Sequence, residues 1–199
     1  MTKKTFFKRS LYYTGIVTFG IWSLLIWNHY HGGVPGHHIL HQNDLPAISN
    51  WWGGILLPVL TLFLTYRIQN RLINNNENKS DRLKFPIKSI YRFLIALAFG
   101  VLLSVFFTLG YSNLSGYMMY GLILLALFFP IYRAECFLGF VIGMTFTFGA
   151  VLPTAVGTIL ALIGAVLYLY VRTGIIFIVR KIIPLIAPNK DNIKNRIKY

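Results

Sequence analysis

Long apolar runs separated by short polar segments dominate this chain. The runs lack the polar face that a water-exposed helix needs, and a helix needs about 20 apolar residues to cross about 30 Å of hydrocarbon. Six segments approach this length, at 11–27, 51–66, 93–110, 117–132, 136–151 and 154–171. In the fifth, Gly139 and Gly143 have the spacing that lets two helices approach closely. The pattern predicts an all-α integral membrane protein, a bundle of six transmembrane helices.

Composition and charge distribution support this prediction. The chain is 56% hydrophobic and 12% charged, outside the range of soluble globular domains. Its 19 lysines and arginines all lie before the first segment, between the second and third, between the fourth and fifth, or after the sixth. Six crossings place all of them on one side, which the positive-inside rule identifies as the cytoplasm. Both termini are therefore predicted to be cytoplasmic, in a plasma or inner membrane, with the loop 28–50 extracytoplasmic.

The distribution of basic residues also explains the net charge of +14 without nucleic acid as a partner. After the sixth segment, basic residues alternate with bulky apolar ones, which predicts a helix along the inner interface at about 173–186. We expect one polytopic membrane domain, 1–183, and a basic cytoplasmic tail, 187–199. The expected partners are the lipid bilayer and either further copies of the chain or a partner membrane subunit, because six short helices enclose little volume.

The segment 28–44 holds all five histidines of the chain and no lysine or arginine. If Gly36–Gln42 forms a helical turn, His37 and His41 lie on one face of it, and Asp44 follows three residues later. Imidazole and carboxylate ligands suit zinc, iron or copper. The pattern predicts one transition-metal site with these candidate ligands: His37, His41, Asp44, His38, His29 and His31.

Two other interpretations of the histidine segment stay open. In one, the histidines lie at headgroup level beside Trp51 and Trp52, which form an aromatic belt, and Asp44 or Ser49 caps the next helix. In the other, the histidines titrate without binding a metal. Metal binding requires neutral imidazoles, so metal affinity is expected to fall as the pH drops through about 6.5.

Polar side chains in and before the fifth apolar segment suggest a route through the bundle. Thr145 and Thr147 are hydroxyl residues within the segment, and Glu135 lies at its cytoplasmic end. We expect these three residues to line a polar path, with Arg133 as the ion-pair partner of Glu135.

These features favour a small membrane protein that binds a transition metal in transport or permeation. One alternative is a metal-dependent membrane enzyme that acts on a lipid or other apolar substrate at the outer leaflet, with Ser49 and Asn50 orienting the substrate. Another is a non-catalytic subunit or assembly factor, in which the aromatic residues, 16% of the chain, pack against partner helices.

Overall fold

The fold is mainly helical in the computed structural model, which describes residues 3–31, 33, 36–38, 47–74 and 84–186. Two short strands, β1 (Gly36–His38) and β2 (Ala47–Ser49), and a 3₁₀ turn at Asn50–Trp52 lie between the first two helices. The helices are α1 (Lys3–Tyr30), α2 (Gly53–Asn74), α3 (Lys84–Thr108), α4 (Ser112–Leu125), α5 (Ala134–Phe148), α6 (Val151–Val166) and α7 (Arg172–Ile186), with a π-helical segment, Leu167–Val171, between α6 and α7.

Four helices in the described part of the chain are long and apolar enough to cross a membrane. They cover Phe7–Tyr30, Asn50–Arg71, Ile87–Thr108 and Val151–Ile182. Helices α4 and α5 have 14 and 15 residues, which at 1.5 Å per residue is only about 21–23 Å. Integral membrane character is therefore supported by these four helices. Helices α4 and α5 are too short for the same criterion, so the six-span bundle remains a prediction.

Helix α4 lies several residues before the predicted segment 117–132. It begins at Ser112, so the chain turns only over 109–111, where Gly110 has a φ of 81°. It ends at Leu125, before Pro130. Proline lacks the N–H that a helix requires and disfavours the helical conformation of the residue before it. The segment that follows α4 is consequently a set of turns, although it is apolar.

The last two predicted elements form one helix. Val151–Ile182 is continuous over 32 residues, or about 48 Å, and passes through the π-helical segment Leu167–Val171 without a loop. This length exceeds the hydrocarbon thickness by well over ten ångströms. The placement of 173–186 along the inner interface remains a prediction, now for the end of a long helix rather than a separate one.

The first two helices pack antiparallel along their length. Near one end Ser10 Oγ lies 2.5 Å from Thr65 Oγ1, and near the other a Cβ on Gly54 would lie 3.0 Å from Leu25 Cδ1. Leu25 also belongs to the buried core, which α5 and α6 join through residues such as Val141 and Leu160. The remaining large apolar side chains of these helices lie mostly on the surface, as expected where lipid replaces water.

Two glycines bring α3 and α5 into close contact. A Cβ on Gly143 would lie 2.5 Å from the Leu97 carbonyl oxygen and 3.1 Å from Val101 N, and one on Gly139 would collide with the Phe93 carbonyl oxygen. These obstacles are backbone atoms, which no side-chain rotation can move. The prediction that this glycine pair faces another helix is confirmed, and the matched order of the contacts shows that α3 and α5 run parallel.

Candidate functional sites at the two ends of the bundle

Helices α2 and α5 run antiparallel and define two ends of the bundle. At the histidine end, which comprises the end of α1, the strand pair and the start of α2, Asn50 lies against Gly149. At the arginine end, Arg71 contacts Glu135. Helix α5 reaches from one end to the other in 15 residues.

An antiparallel strand pair forms at the histidine end. Gly36 lies opposite Ser49, His37 opposite Ile48 and His38 opposite Ala47. Residues 36–38 are therefore extended. The expectation of a helical turn that begins at Gly36 is wrong for these residues. Strand pairing satisfies backbone N–H and C=O groups that a single isolated helical turn leaves unpaired.

Two candidate ligands, His41 and Asp44, lie outside the described residues. The expectation that His41 shares a helix face with His37 therefore loses its geometric basis, while their joint binding of a metal stays a prediction. Among the described residues, no group of three or more histidine, cysteine, aspartate or glutamate side chains is placed to hold a metal ion.

Two further candidate ligands, His29 and His31, lie at the end of helix α1. The His31 ring stacks on Trp27 at a centroid distance of 3.9 Å, and its Nδ1 lies 3.0 Å from the Trp27 carbonyl oxygen. A carbonyl only accepts, so Nδ1 donates, and in the neutral form of the ring Nε2 has the free lone pair. The His29 ring lies 6.0 Å from the Trp51 ring. Trp51 follows β2 closely, so His29 lies beside the base of the strand pair.

The two residues expected to orient a substrate have structural contacts at the start of α2. The Ser49 hydroxyl accepts a hydrogen bond from Trp51 N at 3.4 Å and caps the 3₁₀ turn, as the capping interpretation expected. The Asn50 side chain is buried beside Gly149, which has a φ of 70° and no room for a Cβ. Burial of Asn50 gives a substrate-orienting role no support from these contacts.

A buried carboxylate forms the centre of the arginine end. Glu135 is 1% exposed, and its Oε1 accepts from Arg71 Nη2 at 2.7 Å and lies 3.5 Å from Arg92 Nη1. Its Oε2 is buried and has no hydrogen-bond partner among the described residues. These ion pairs join three helices, because Arg71 belongs to α2, Arg92 to α3 and Glu135 to α5.

The expected pairing of Glu135 with Arg133 is wrong. Arg133 precedes α5 with extended backbone, whereas Glu135 lies in the first turn of that helix and faces the arginines of α2 and α3. Sequence reasoning missed Arg71 and Arg92. The sequence did contain a hint of this pairing. Glu135 is the one acidic residue near the end of an apolar segment, and Arg71 and Arg92 lie near the ends of the second and third apolar segments.

The three expected path residues do not form a continuous row in the described part of the chain. Thr145 Oγ1 donates to the Val141 carbonyl oxygen at 2.7 Å within its own helix. Thr145 lies ten residues after Glu135, which is about 15 Å along the helix axis. Thr147 follows about half a helical turn later and is half-buried. The intervening glycine face of α5 is closed by α3.

A cavity of about 340 Å³ opens between α3, α4, α5 and α6 toward the arginine end. Its wall includes side chains that are exposed on the outside of the bundle, such as Ile95 and Phe129, so it opens sideways. The residues that line it are Arg92, Ile95, Ala96, Phe99, Leu122, Leu125, Phe129, Pro130, Ile131, Cys136, Phe137, Phe140, Gly157, Leu160 and Ala161. Arg92 is the one charged side chain among them.

No protein-family model matches this sequence, and no curated protein and no solved structure matches it either. Function is therefore inferred from the residues themselves.

Proposed function

We propose that the chain is a six-crossing membrane protein that binds a transition metal at its extracytoplasmic histidine end, in the service of metal transport or permeation. The observation that carries this proposal is the convergence of histidine-bearing segments at that end. Strand pairing brings the backbone of His37 and His38 beside β2, and Trp51, which follows β2, contacts the His29 ring. Three of the five histidines thus belong to segments that meet there.

The hydrogen bond of His31 suits a metal ligand. Histidines that bind metals usually donate the second ring N–H to a carbonyl or carboxylate, which fixes the tautomer and the orientation of the ring. The contact from His31 Nδ1 to the Trp27 carbonyl oxygen, at 3.0 Å, is of this kind and leaves Nε2 to bind the ion. His31 therefore joins the candidate set on geometry as well as on composition.

The charge pattern favours a cation at this end. The segment 28–44 has no lysine or arginine and contains one aspartate. A divalent ion there meets no fixed positive charge from its own segment, and nearby cations would oppose its binding. At the arginine end, by contrast, positive charge is in excess, because Arg71 and Arg92 share the single carboxylate of Glu135.

The six-crossing topology is supported by the reach of α5. This helix has 15 residues, yet Glu135 near its start lies at the arginine end and Gly149 just after it lies at the histidine end. The two ends of α5 therefore contact the same two ends of the bundle as α2 does, and Arg133, which directly precedes α5, lies at the arginine end, in agreement with the positive-inside rule.

Transport favours more than one copy of the chain or a partner membrane subunit. Glycine packing closes the α3–α5 interface, so Glu135, Thr145 and Thr147 form no continuous row in the described part of one chain. Most large apolar side chains of the long helix Val151–Ile182 are exposed, among them Ile159, Leu162 and Phe177, which leaves this surface available to pack against further helices. A catalytic role on lipid at the histidine end has less support, because Asn50 is buried there and the apolar cavity opens toward the arginine end.

Metal analysis of the purified protein tests this proposal. We expect about one zinc, iron or copper ion per chain, removed by a chelator and restored by the metal salt. His31→Ala and His37→Ala should each lower the metal content sharply. Arg133→Gln, at the arginine end, is the matched control and should keep it, because Arg133 takes no part in the Glu135 ion pairs. Equal metal content in wild type and both histidine variants would refute the proposal.

A further inference from the structure

The lateral cavity combines an apolar interior with one charged side chain. Its volume of about 340 Å³ falls within the range of ligand pockets, about 300–1,000 Å³. Apart from Arg92 and the thiol of Cys136, its lining side chains are all apolar. A cavity of this composition inside a membrane favours a hydrocarbon chain, because the lining offers few hydrogen bonds to a polar ligand.

Arg92 has unused hydrogen-bonding capacity at the cavity wall. A guanidinium carries five N–H donors, and in the described part of the chain Arg92 makes one long contact, from Nη1 to Glu135 Oε1 at 3.5 Å. The shorter contact of that oxygen, at 2.7 Å, is with Arg71. The Arg92 side chain is 32% exposed, so the remaining N–H groups are accessible to an anionic group outside the bundle.

The charge balance at the arginine end favours an anion. Arg71 and Arg92 share a single carboxylate, Glu135, and Arg133 directly precedes α5 at the same end. Three guanidinium groups thus accompany this carboxylate. Phosphate groups bind arginine through charge-assisted, often bidentate hydrogen bonds.

We infer that the cavity is a binding site for an anionic phospholipid, with one acyl chain between α3, α4, α5 and α6 and the phosphate on Arg92. This inference is independent of the metal site, which lies at the opposite end. The headgroup sits at the end of the bundle where the basic residues gather, and anionic lipids populate the leaflet that such residues face. The site differs from ordinary lipid contact because one chain would lie between four helices, in a cavity that opens to the side of the bundle.

Native mass spectrometry of the full chain, supplied with phosphatidylglycerol or phosphatidylcholine of identical chains, tests this inference. Wild-type protein should retain one lipid and prefer phosphatidylglycerol. Arg92→Gln should reduce that preference about fivefold, the size expected for one basic side chain beside an anionic headgroup. Arg180→Gln removes an exposed arginine of α7 and should leave the preference unchanged.

Two further variants separate chain binding from headgroup recognition. Ala161→Phe fills the cavity from α6 and should abolish retention of both lipids, while Ile159→Phe, on the exposed side of the same helix, should not. Arg92→Lys keeps the charge and should restore most of the preference, even if Arg92→Gln proves too unstable to measure. Unchanged retention in Ala161→Phe would overturn the chain site, and equal binding of the two lipids by wild type would overturn the anionic headgroup.

Discussion

Arg71 Nη2 lies 2.7 Å from Glu135 Oε1 and joins α2 to α5 across 64 positions of sequence. Arg92 of α3 approaches the same oxygen at 3.5 Å. A buried carboxylate is costly unless it is paired, and here one carboxylate holds three helices together at the end where the basic residues gather.

Removal of this carboxylate charge should destabilise the bundle. Glu135→Gln leaves Arg71 and Arg92 close together without a counter-ion, and each hydrogen bond to a charged group contributes about 1.5–3 kcal/mol. We expect a clear drop in the thermal midpoint of the detergent-purified protein. Arg71→Gln should also lower it, and the effects of the two substitutions should be non-additive because they remove the same contact.

The matched control for this prediction is Arg133→Gln. Arg133 is near Glu135 in sequence but not paired with it in the structure, so its substitution should change the midpoint little. A larger loss from Arg133→Gln than from Arg71→Gln would reverse the assignment of the ion pair.

The contact between α3 and α5 should tolerate no side chain at Gly143. A single methyl group there would lie 2.5 Å from the Leu97 carbonyl oxygen, so Gly143→Ala must push two helix backbones apart. Gly121→Ala is the control, because Gly121 is also helical and a methyl group at this position would meet no neighbouring atom within 4 Å. Alanine favours a helix over glycine by about 1 kcal/mol.

The two alanine variants should therefore shift the thermal midpoint in opposite directions, down for Gly143→Ala and slightly up for Gly121→Ala. Equal midpoints would show that the helices are less closely packed than the structure places them.

The apolar pattern predicted the helices well where a segment is long and uninterrupted, as in α1, α2 and α3. It failed at α4 because hydrophobicity continues through Phe129 although Pro130 prevents a helix there. It also could not predict the partners of Glu135, because those arginines are distant in sequence and meet only when α2, α3 and α5 pack. The spacing of Gly139 and Gly143 was enough to predict close packing but not which helix supplies the contact.

Cysteine labelling distinguishes a six-crossing protein from one in which α4 and α5 do not cross. In a Cys136→Ser background, Tyr30→Cys marks the histidine end and Arg133→Cys marks the turn between α4 and α5. In sealed vesicles of known orientation, a membrane-impermeant maleimide should label Tyr30→Cys from the extracytoplasmic side and Arg133→Cys from the cytoplasmic side.

Labelling of both positions from the same side would refute the six-crossing topology. Absence of labelling at Arg133→Cys from either side, with labelling after detergent is added, would place that turn inside the bilayer instead.

X-ray absorption spectroscopy of the metal-loaded protein is the sharpest test of metal binding at the histidine end, because it reports the atoms bound to the ion. With zinc, we expect imidazole nitrogens at about 2.0–2.1 Å, and a loss of imidazole scattering in His31→Ala and His37→Ala. A spectrum with oxygen ligands alone, or one that stays the same in both variants, would contradict metal binding by the histidine end.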